Sequence, residues 1–426
     1  MTAVAGDGRL GLFSATTLVV ASMLGTGVFT TSGLLLADLG SPWLVLLAWL
    51  VGGLLATCGA LSYGALASRL PESGGEYFFL SRTLHPAAGT MAGWISIIVG
   101  FAAPLAAAAL AFGEYLGDWL PGSSPQGLGS ALLCAFAVVH SRGMQGGSRL
   151  HDLTVACEIL LIIVFVGLAL ARLPAGPLLP ERTASGGVAA FAVGLIWVSF
   201  SYYGWGAAVY VAGEVRDAPR TLPRALLLGT ALVTILYLAL NAAFVFAAPH
   251  AMLAGEIQIG RSAAQALGGA AWANALTALI ALVLAASVSA MTIAGPRVYA
   301  RMAADGELPR RFVAGVAGPR LAIGLQCALS LSLLWTSSFV SLLTYTGFTL
   351  NLCAAATVAG LIRLRLCEGC AVAIVGWPLL PLVFLAGMLC MAFAAIIRQP
   401  VESLWGLATL AATWLAWRCR RAMRAS

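Results

Sequence analysis

The segments Gly25–Gly27 and Gly204–Gly206 each place two glycines near the middle of a long apolar stretch. Gly is less favourable than Ala in a helix interior by about 1 kcal/mol, and non-helical backbone is tolerated inside a membrane only where it is buried in protein or lines a cavity. The N–H groups freed at the start of a half-helix suit a carboxylate, and the C=O groups freed at a half-helix end suit an ammonium group. The alternative for either segment alone is close packing of neighbouring helices, for which Gly is common in membranes.

The two segments lie in the first and the sixth apolar stretch, which cross a membrane in opposite directions because they are five stretches apart. This is the pattern of an inverted repeat of five helices. Interrupted helices at matching positions of two halves point to the binding site of a transporter. An α-amino acid carries a carboxylate and an ammonium group on one carbon, so it can bridge such a break.

Glu158 is a candidate of another kind, an acid inside the fifth stretch. It lies about nine residues from the start, or roughly 13 Å deep if the stretch is helical, where an ionisable residue costs about 2.5–3.5 kcal/mol on insertion and is expected to be functional. Three interpretations stay open: a proton carrier, the partner of a cation such as a substrate amine or Arg297, or a protonated structural acid bonded to a carbonyl of the first helix. In the eighth stretch, the hydroxyl of Ser287 is a further candidate for ion coupling, although Ser in membrane helices most often bonds its own backbone.

The composition requires a membrane-embedded scaffold for these residues. Of the 426 residues, 61% are hydrophobic and 9% are charged, and the mean hydropathy is +0.95, whereas a soluble domain is about 25% charged. A large soluble enzyme and a disordered chain are both excluded, and the net charge of +7 does not indicate a nucleic-acid partner. One crossing takes about 20 apolar residues. Twelve such segments can be delimited, at 11–37, 42–67, 86–116, 127–141, 150–171, 187–213, 223–248, 271–299, 320–336, 339–363, 372–397 and 401–418.

The arginines indicate how these segments are oriented. All 23 basic residues are Arg, and with twelve crossings and a cytoplasmic N-terminus 19 of them fall in cytoplasmic loops and tails and 4 outside. Positive residues favour the cytoplasmic side of a membrane. We therefore predict a multi-pass protein of a bacterial-type cytoplasmic (inner) membrane, with both termini in the cytoplasm.

Four stretches resemble elements of one family, the amino acid–polyamine–organocation superfamily. Gly25–Phe29 (GTGVF) resembles the G-S/T-G-I/V-F element of its first helix, and Phe200–Trp205 (FSYYGW) resembles the F-A-Y-x-G-W element of the sixth helix in its L-type amino acid transporter branch. Glu214–Ala225 and Arg297–Pro309 are similar to that branch's E-x-x-N-P-x-x-x-I-P-R-A and R-x-x-x-x-M/L-A-R-D-G-x-L/F-P runs. The stretches occur in the expected order, so together they are specific.

The resemblance implies the leucine-transporter-like fold, an inverted repeat of five plus five helices followed by two more, and transport by alternating access. Carried over to this chain, Thr26 and Gly27 would hold the substrate carboxylate, and the Met23 carbonyl would face the ammonium group. The carbonyls of Phe200 and Tyr203 would assist, and Phe200 would be the aromatic gate over the site; ordinary packing between apolar helices is the alternative for Phe200. The implied substrate-binding residues are Met23, Gly25, Thr26, Gly27, Phe200, Tyr203 and Gly204.

This chain departs from the family pattern at two of these positions. Many sodium-independent members carry a Lys where Glu158 falls, and that Lys is thought to occupy the cation position of sodium-coupled relatives, so the sign of the charge is reversed here. The pattern often has a small residue at the position of Tyr203, whose phenol could narrow the side-chain pocket or bond a polar substrate.

The chain is thus predicted to be an all-α secondary active transporter of amino acids or related amines, proton-coupled or an exchanger, and not an enzyme. The alternatives are an amino acid or amine exporter or antiporter, and a non-transporting membrane sensor. The predicted parts are a cytoplasmic N-terminus (1–10), a first five-helix repeat (11–171), a second, inverted repeat (187–363), helices 11 and 12 (372–418) and a cytoplasmic C-terminus (419–426).

The expected partners are an amino acid substrate and the lipid bilayer. No metal or cofactor is predicted, because four His and scattered acids supply no ligand cluster at membrane depth and Cys367–Cys370 is a single CxxC motif. His140 and His151 flank a cytoplasmic loop and are expected to be solvated. The loop 118–126 contains no Cys, so the disulfide to an ancillary subunit that animal relatives form is not expected, and the protein should be a monomer or a homodimer.

Overall fold

A computed structural model describes residues 10–142, 148–173, 187–313, 317–369 and 373–425. Most of the described residues are helical. The helix Pro86–Ile95 continues through a π-helical stretch (Ser96–Ala102) into the helix Ala103–Gly117, and the helix Gly187–Tyr202 continues as a 3-10 helix (Tyr203–Glu214). The α-helices are α1 (Leu12–Met23), α2 (Thr26–Leu39), α3 (Pro42–Arg69), α4 (Gly75–Thr83), α5 (Pro86–Ile95), α6 (Ala103–Gly117), α7 (Pro125–Ser141), α8 (Ser148–Leu170), α9 (Gly187–Tyr202), α10 (Ala218–Val245), α11 (His250–Leu253), α12 (Ile259–Ala304), α13 (Ala317–Thr336), α14 (Phe339–Glu368), α15 (Leu379–Arg398) and α16 (Pro400–Ala425).

The helices follow the apolar segments of the sequence. Within the described residues, those long and apolar enough to cross a membrane by themselves are Pro42–Arg69, Pro86–Gly117, Gly187–Glu214, Ala218–Val245, Ile259–Ala304, Phe339–Glu368 and Leu379–Arg398. The bent pair α1 and α2 adds one more span. α7, α8, α13 and α16 lie on the remaining four predicted segments. The prediction of an all-α polytopic membrane protein is confirmed.

Several loops that the arginine distribution assigns to the cytoplasm meet at one end of the bundle. The Leu10 N–H donates to the Glu214 carbonyl at 3.0 Å, which joins the N-terminal segment to the end of the 3-10 helix. The Gly213 N–H donates to Ser73 Oγ at 2.9 Å, and Arg301 at the end of α12 donates to the Ser73 carbonyl at 3.3 Å. The N-terminal segment, the α3–α4 loop, the end of the 3-10 helix and the end of α12 therefore lie on the same face, as even numbers of crossings between them require.

The opposite end of the bundle is covered by the segment around α11. The Gly255 N–H donates to the Gly33 carbonyl of α2 at 2.8 Å. A Cβ atom at position 33 would lie 2.0 Å from the Glu256 carbonyl oxygen, so this segment packs directly on the backbone of α2. Arg261 and Asp118 form an ion pair beside it. These contacts close the protein over α2 at the face that the arginine distribution assigns to the outside.

An aromatic cluster fills the centre of the group formed by α1, α3, α9 and α10. The ring of Trp49 lies 5.2 Å from that of Tyr237 and 5.9 Å from that of Tyr202, and the two tyrosine rings are 5.0 Å apart. All three side chains are almost completely buried. Edge-to-face and tilted contacts of this kind stabilise a pair by about 0.5–1.5 kcal/mol beyond the area that they bury. The cluster holds the helices next to the interruption of the first span.

Candidate substrate-binding site

The first membrane span is interrupted where the sequence predicts it. α1 ends at Met23 and α2 begins at Thr26, and the two helices are bent by 40°. Gly25 between them is extended, with φ −153° and ψ −159°, and forms no side-chain cap. The first N–H groups of a helix have no intrahelical acceptor. Those of α2 are therefore left for a ligand, with the positive end of the helix dipole behind them.

The sixth span is interrupted at the predicted place in a different way, by a change of helix type and not by a gap. α9 ends at Tyr202, and a 3-10 helix runs from Tyr203 to Glu214 with non-helical dihedral angles at Val211. The expected open break is thus a change from α-helix to 3-10 helix, which winds the backbone more tightly. Such a stretch inside a helix often marks a hinge.

The two interrupted spans touch through glycines. A Cβ atom at Gly204 would lie 2.1 Å from the Ser22 carbonyl oxygen and 2.5 Å from the Met23 nitrogen. A Cβ atom at Gly27 would lie 2.0 Å from Ser201 Oγ and 2.8 Å from Ser201 Cα. At these two positions, close packing explains the glycine. Gly25 is different, because a Cβ atom there would meet Ser287 Oγ at an ordinary 3.6 Å.

A cavity of about 160 Å³ lies between the two interrupted spans. It extends to Arg297 on α12, whose side chain is 47% exposed. Arg297 belongs to the same end of the bundle as Leu10 and Glu214, since it lies 3.7 Å from Glu214. The predicted residues that line the cavity are Met23, Gly25, Thr26, Gly27, Phe200, Tyr203, Gly204 and Ser287.

Tyr237 on α10 links the ends of both interrupted helices, a role that the sequence did not reveal. Its hydroxyl donates to the Met23 carbonyl at the end of α1, and its oxygen also lies 3.1 Å from the Ser201 carbonyl near the end of α9. The Met23 carbonyl, predicted to face a substrate ammonium group, therefore already accepts a hydrogen bond. A buried tyrosine in a membrane helix needs a hydrogen-bond acceptor, but nothing in the sequence shows which carbonyl it reaches.

Glu76 on α4 is a second residue of the cavity wall that the sequence analysis missed. Its side chain is 3% exposed, and its Oε1 accepts hydrogen bonds from the hydroxyls of Tyr63 at 2.5 Å and Tyr203 at 3.1 Å. Burial raises the pKa of Glu76 to about 7. The signal that could have revealed it is the pair of glycines directly before it: both Gly74 (φ +136°) and Gly75 (φ +55°) have positive φ angles, which favour glycine.

The acid predicted inside the fifth span lies outside this cavity. Glu158 is buried on α8, and its Oε1 has no hydrogen-bond partner among the residues that the structure describes. The ion pair considered for it with Arg297 is not formed, because Arg297 pairs with Glu214 instead. The cavity thus brings Ser287 to the predicted substrate residues and leaves Glu158 apart from them.

Two touching interrupted spans around a cavity, within a bundle of membrane-spanning helices, define a membrane transporter of the leucine-transporter-like fold. The structure of Mhp1, a nucleobase-cation-symport-1 family transporter, in a closed conformation with bromovinylhydantoin bound, has the same fold, with a TM-score of 0.55 and 13% identity over 95% of this chain and 94% of that chain. The chain belongs to the amino acid permease family, whose model matches residues 10–417.

Curated relatives of the chain are transporters or exchangers of amino acids. Large neutral amino acids transporter small subunit 2 of Mus musculus is 29% identical, over 84% of this chain and 70% of the relative. Asc-type amino acid transporter 1 of Homo sapiens is 25% identical over 84% and 71%, and the serine/threonine exchanger SteT of Bacillus subtilis (strain 168) is 28% identical over 78% and 77%. The predictions of superfamily, fold class and a transport function rather than an enzymatic one are confirmed.

Proposed function

We propose that the protein exchanges α-amino acids across a cytoplasmic membrane, or moves them together with protons, through the cavity between α1, α2, α9 and the 3-10 helix. The observation that supports this most directly is that backbone hydrogen-bond donors and backbone acceptors line the same part of the cavity. The free N–H groups of α2 at Thr26 and Gly27 and the carbonyl end of α1 at Met23 line the same cavity. A zwitterion carries matching charges on one carbon atom.

In the proposed complex, the substrate carboxylate accepts from the N–H groups of Thr26 and Gly27. The ammonium group donates to the Met23 carbonyl, alongside or in place of the Tyr237 hydroxyl, and to carbonyls of Phe200 and Tyr203. Hydrogen bonds to charged groups are worth about 1.5–3 kcal/mol each, so these hydrogen bonds are sufficient to bind the carboxylate and ammonium groups of an amino acid.

Gly25 leaves room for the α-carbon of the substrate, since a Cβ atom there would have only ordinary contacts. Gly204 holds the second interrupted span against the first. We propose Phe200, which is 9% exposed and lines the cavity, as the gate on the side of the covered end.

Alternating access would proceed by rocking α1, α2, α3, α9, the 3-10 helix and α10 against the other helices. In the present conformation the cavity extends toward Arg297, while the segment around Glu256 covers α2 at the other end. This arrangement supports an inward-facing state. The outward-facing state requires the contact of Gly33 with Glu256 to open, and the end around Arg297 to close.

We also propose Glu158 and Ser287 as the residues that couple transport to a proton or another ion. Ser287 lines the cavity beside Gly25, and the buried Glu158 lies on α8, which packs against α1, α10 and α12. If Glu158 carries a coupled proton, Glu158→Gln abolishes the stimulation of uptake by an imposed pH gradient. If exchange is the mechanism, Glu158→Gln keeps the ratio of uptake with and without the gradient near one, as in the wild type.

We propose that both termini lie in the cytoplasm and that the chain works without a disulfide-linked subunit, as a monomer or a homodimer. The arginine distribution supports the orientation, and the loops with most arginines share one end of the bundle. Residues 118–124 between α6 and α7 contain no Cys. The orientation is tested with the variants Ala422→Cys and Ser123→Cys and a thiol reagent that does not cross membranes. In intact cells the reagent should label Cys at position 123 but not at position 422.

The transport proposal is tested by counterflow in liposomes that contain the purified protein. Vesicles loaded with unlabelled L-leucine, L-serine, L-alanine or L-arginine receive the same labelled amino acid outside, and transient accumulation above equilibrium is expected for at least one of them. Liposomes without the protein serve as the control. Absence of accumulation for the 20 L-amino acids and for small amines would refute the proposal.

A further inference from the structure

Glu76 occupies an unusual position at the cavity wall, because both of its described hydrogen-bond donors are phenols that bind the same oxygen. Tyr63 and Tyr203 donate to Oε1 at 2.5 and 3.1 Å. The other oxygen, Oε2, is buried and has no hydrogen-bond partner among the residues that the structure describes. A buried acceptor without a partner is unfavourable by about 1–3 kcal/mol, and more when it is charged. Binding a proton at Oε2 removes that charge.

A turn formed by two glycines directly before Glu76 places its side chain in the cavity wall. Gly74 and Gly75 adopt positive φ angles, which are strained for other residues, and a Cβ atom at Gly75 would lie 2.4 Å from Cε1 of the Tyr210 ring. Glu76 follows at once, in the first turn of α4. The backbone of this turn therefore fixes the position of the Glu76 carboxyl group in the cavity wall.

The surroundings of Glu76 contain no described counter-ion. In the part of the chain that the structure describes, Glu76 takes part in no ion pair. Arg297, which lines the same cavity, lies 3.7 Å from Glu214. Phenols and thiols ordinarily titrate above pH 8, so Glu76 is the member of this group that ionises near neutral pH. The titratable groups that interact with it are Tyr63 on α3, Tyr203 and Tyr210 on the 3-10 helix, and Cys353 on α14.

Opposing effects place the ionisation of Glu76 in the physiological range. Burial favours the neutral acid, whereas the two phenol donors and its position in the first turn of a helix favour the carboxylate. Burial is the larger effect, and the pKa rises from its ordinary value to about 7. Both protonation states are therefore accessible between pH 6 and pH 8.

The two phenols connect Glu76 to the helices that must move. Tyr63 belongs to α3 and Tyr203 to the first turn of the 3-10 helix, next to Gly204. α4 itself packs mainly on α5 and α14, which the proposed mechanism treats as stationary. Hydrogen bonds to an ionised acceptor are roughly twice as strong as those to a neutral one. The ionised carboxylate thus ties the moving group to the stationary group more firmly than the neutral acid does.

We propose that Glu76 is a proton-binding site that controls transport: when ionised it holds the 3-10 helix and α3 to α4, and when a proton from solvent reaches it through the cavity it releases them. Exchange is therefore faster at pH 6 than at pH 8 even with the same pH on both sides of the membrane. This inference rests on the proposed amino acid transport through the same cavity, and it concerns a different residue from Glu158.

The test is counterflow of the amino acid that gives the largest wild-type signal, measured at equal internal and external pH from 5.5 to 8.5. A single group that ionises near pH 7 predicts that the wild-type rate at pH 6 is about tenfold the rate at pH 8. Glu76→Gln keeps an acceptor for both phenols but cannot ionise, and its ratio should fall below about twofold, whatever its absolute rate. Glu402→Gln is the matched control, because Glu402 also accepts a hydroxyl hydrogen bond, from Ser341 at 3.0 Å, but does not line the cavity. Its ratio should equal that of the wild type.

Different results separate this inference from the proposed function. The role of Glu76 is overturned if the wild-type rate at pH 6 is equal to or below that at pH 8, or if Glu76→Gln has the same ratio of the two rates as the wild type. Amino acid transport is unaffected by either result. Loss of the ratio in Glu158→Gln with its retention in Glu76→Gln assigns the proton to Glu158 instead. Absence of wild-type counterflow refutes both proposals. If Glu76→Gln does not fold, Tyr203→Phe replaces it, and a pH midpoint of exchange equal to that of the wild type overturns the inference.

Discussion

Gly204 lies directly against the backbone of Ser22, so that a Cβ atom at position 204 would be 2.1 Å from the Ser22 carbonyl oxygen and 2.2 Å from its carbon. Real Cβ atoms do not approach other atoms so closely. The interrupted parts of the first and sixth spans are therefore in backbone contact. Residues of both spans at this contact, Ser22 and Gly204, line the cavity.

Gly204→Ala should separate the two interrupted spans, because the obstructing atoms belong to backbone and cannot rotate away. We expect at least a tenfold loss of exchange rate together with a lower melting temperature. Gly206→Ala is the matched control two residues further on, where a Cβ atom would meet Cδ1 of Tyr63 at an ordinary 3.6 Å. Counterflow and thermal unfolding of both variants check this, and an equal effect of the two would contradict the steric argument.

Tyr237→Phe removes the hydroxyl that serves the carbonyl ends of α1 and α9. Each buried carbonyl that loses its donor is unfavourable by about 1–3 kcal/mol, so we expect a lower melting temperature. The substrate ammonium group no longer competes with a hydroxyl for the Met23 carbonyl, so amino acids should bind roughly tenfold more tightly. Tyr202→Phe is the comparison, since the Tyr202 hydroxyl donates at 3.1 Å to the Trp49 carbonyl inside α3, which already has an intrahelical donor. Its effect on affinity should be clearly smaller; the reverse order would show that Tyr237 does not shape the site.

Thr26→Pro tests the carboxylate site by removing a single N–H group. Proline is favoured at the first position of a helix, and Thr26 is the first residue of α2, preceded by the extended Gly25. Thr26→Ala removes the side chain but keeps the N–H group. We expect Thr26→Pro to bind amino acids at least tenfold more weakly than Thr26→Ala, at similar melting temperatures. Equal affinities, measured by displacement of a labelled substrate, would show that this N–H group does not contact the carboxylate.

Removal of either phenol from Glu76 should move the pH profile of exchange toward higher pH. Each hydroxyl favours the ionised carboxylate, so its loss raises the pKa of Glu76 further above 7. The midpoint of the pH profile should shift upward in both variants, and more in Tyr63→Phe than in Tyr203→Phe because the bond at 2.5 Å is shorter than the one at 3.1 Å. Rates at ten pH values give the midpoints. A downward shift in either variant would be inconsistent with this role.

The sequence was sufficient for those features that depend on composition and on backbone geometry. Long apolar segments reveal their length directly, and Gly25 and Gly204 stand out because each belongs to a pair of glycines and the two pairs lie at matching positions of two spans. The sequence could not separate the reasons for these glycines. Gly204 is required by close packing, whereas Gly25 leaves open space beside Ser287.

The sequence does not reveal side chains whose hydrogen-bond partners lie on other helices. Tyr237 is one tyrosine among nine, and its two carbonyl partners come from other helices. Glu76 was overlooked because a polar residue between two spans is ordinarily solvated. The expectation of a solvated His140 was wrong for the same reason: it is 8% exposed and lies 2.8 Å from Ser289 Oγ. The side chain of His151 lies outside the described residues.

The hydroxyl of Tyr237 has one proton and lies beside two carbonyls, those of Met23 and Ser201. One phenol proton cannot be donated fully to both acceptors at once, so the hydroxyl leaves hydrogen-bonding capacity unused at this point between the first and sixth spans. An incoming ammonium group brings three donor protons. A substrate with an ammonium group would donate to both carbonyls, so this surplus of acceptors would favour substrates that carry donor protons over substrates that lack them.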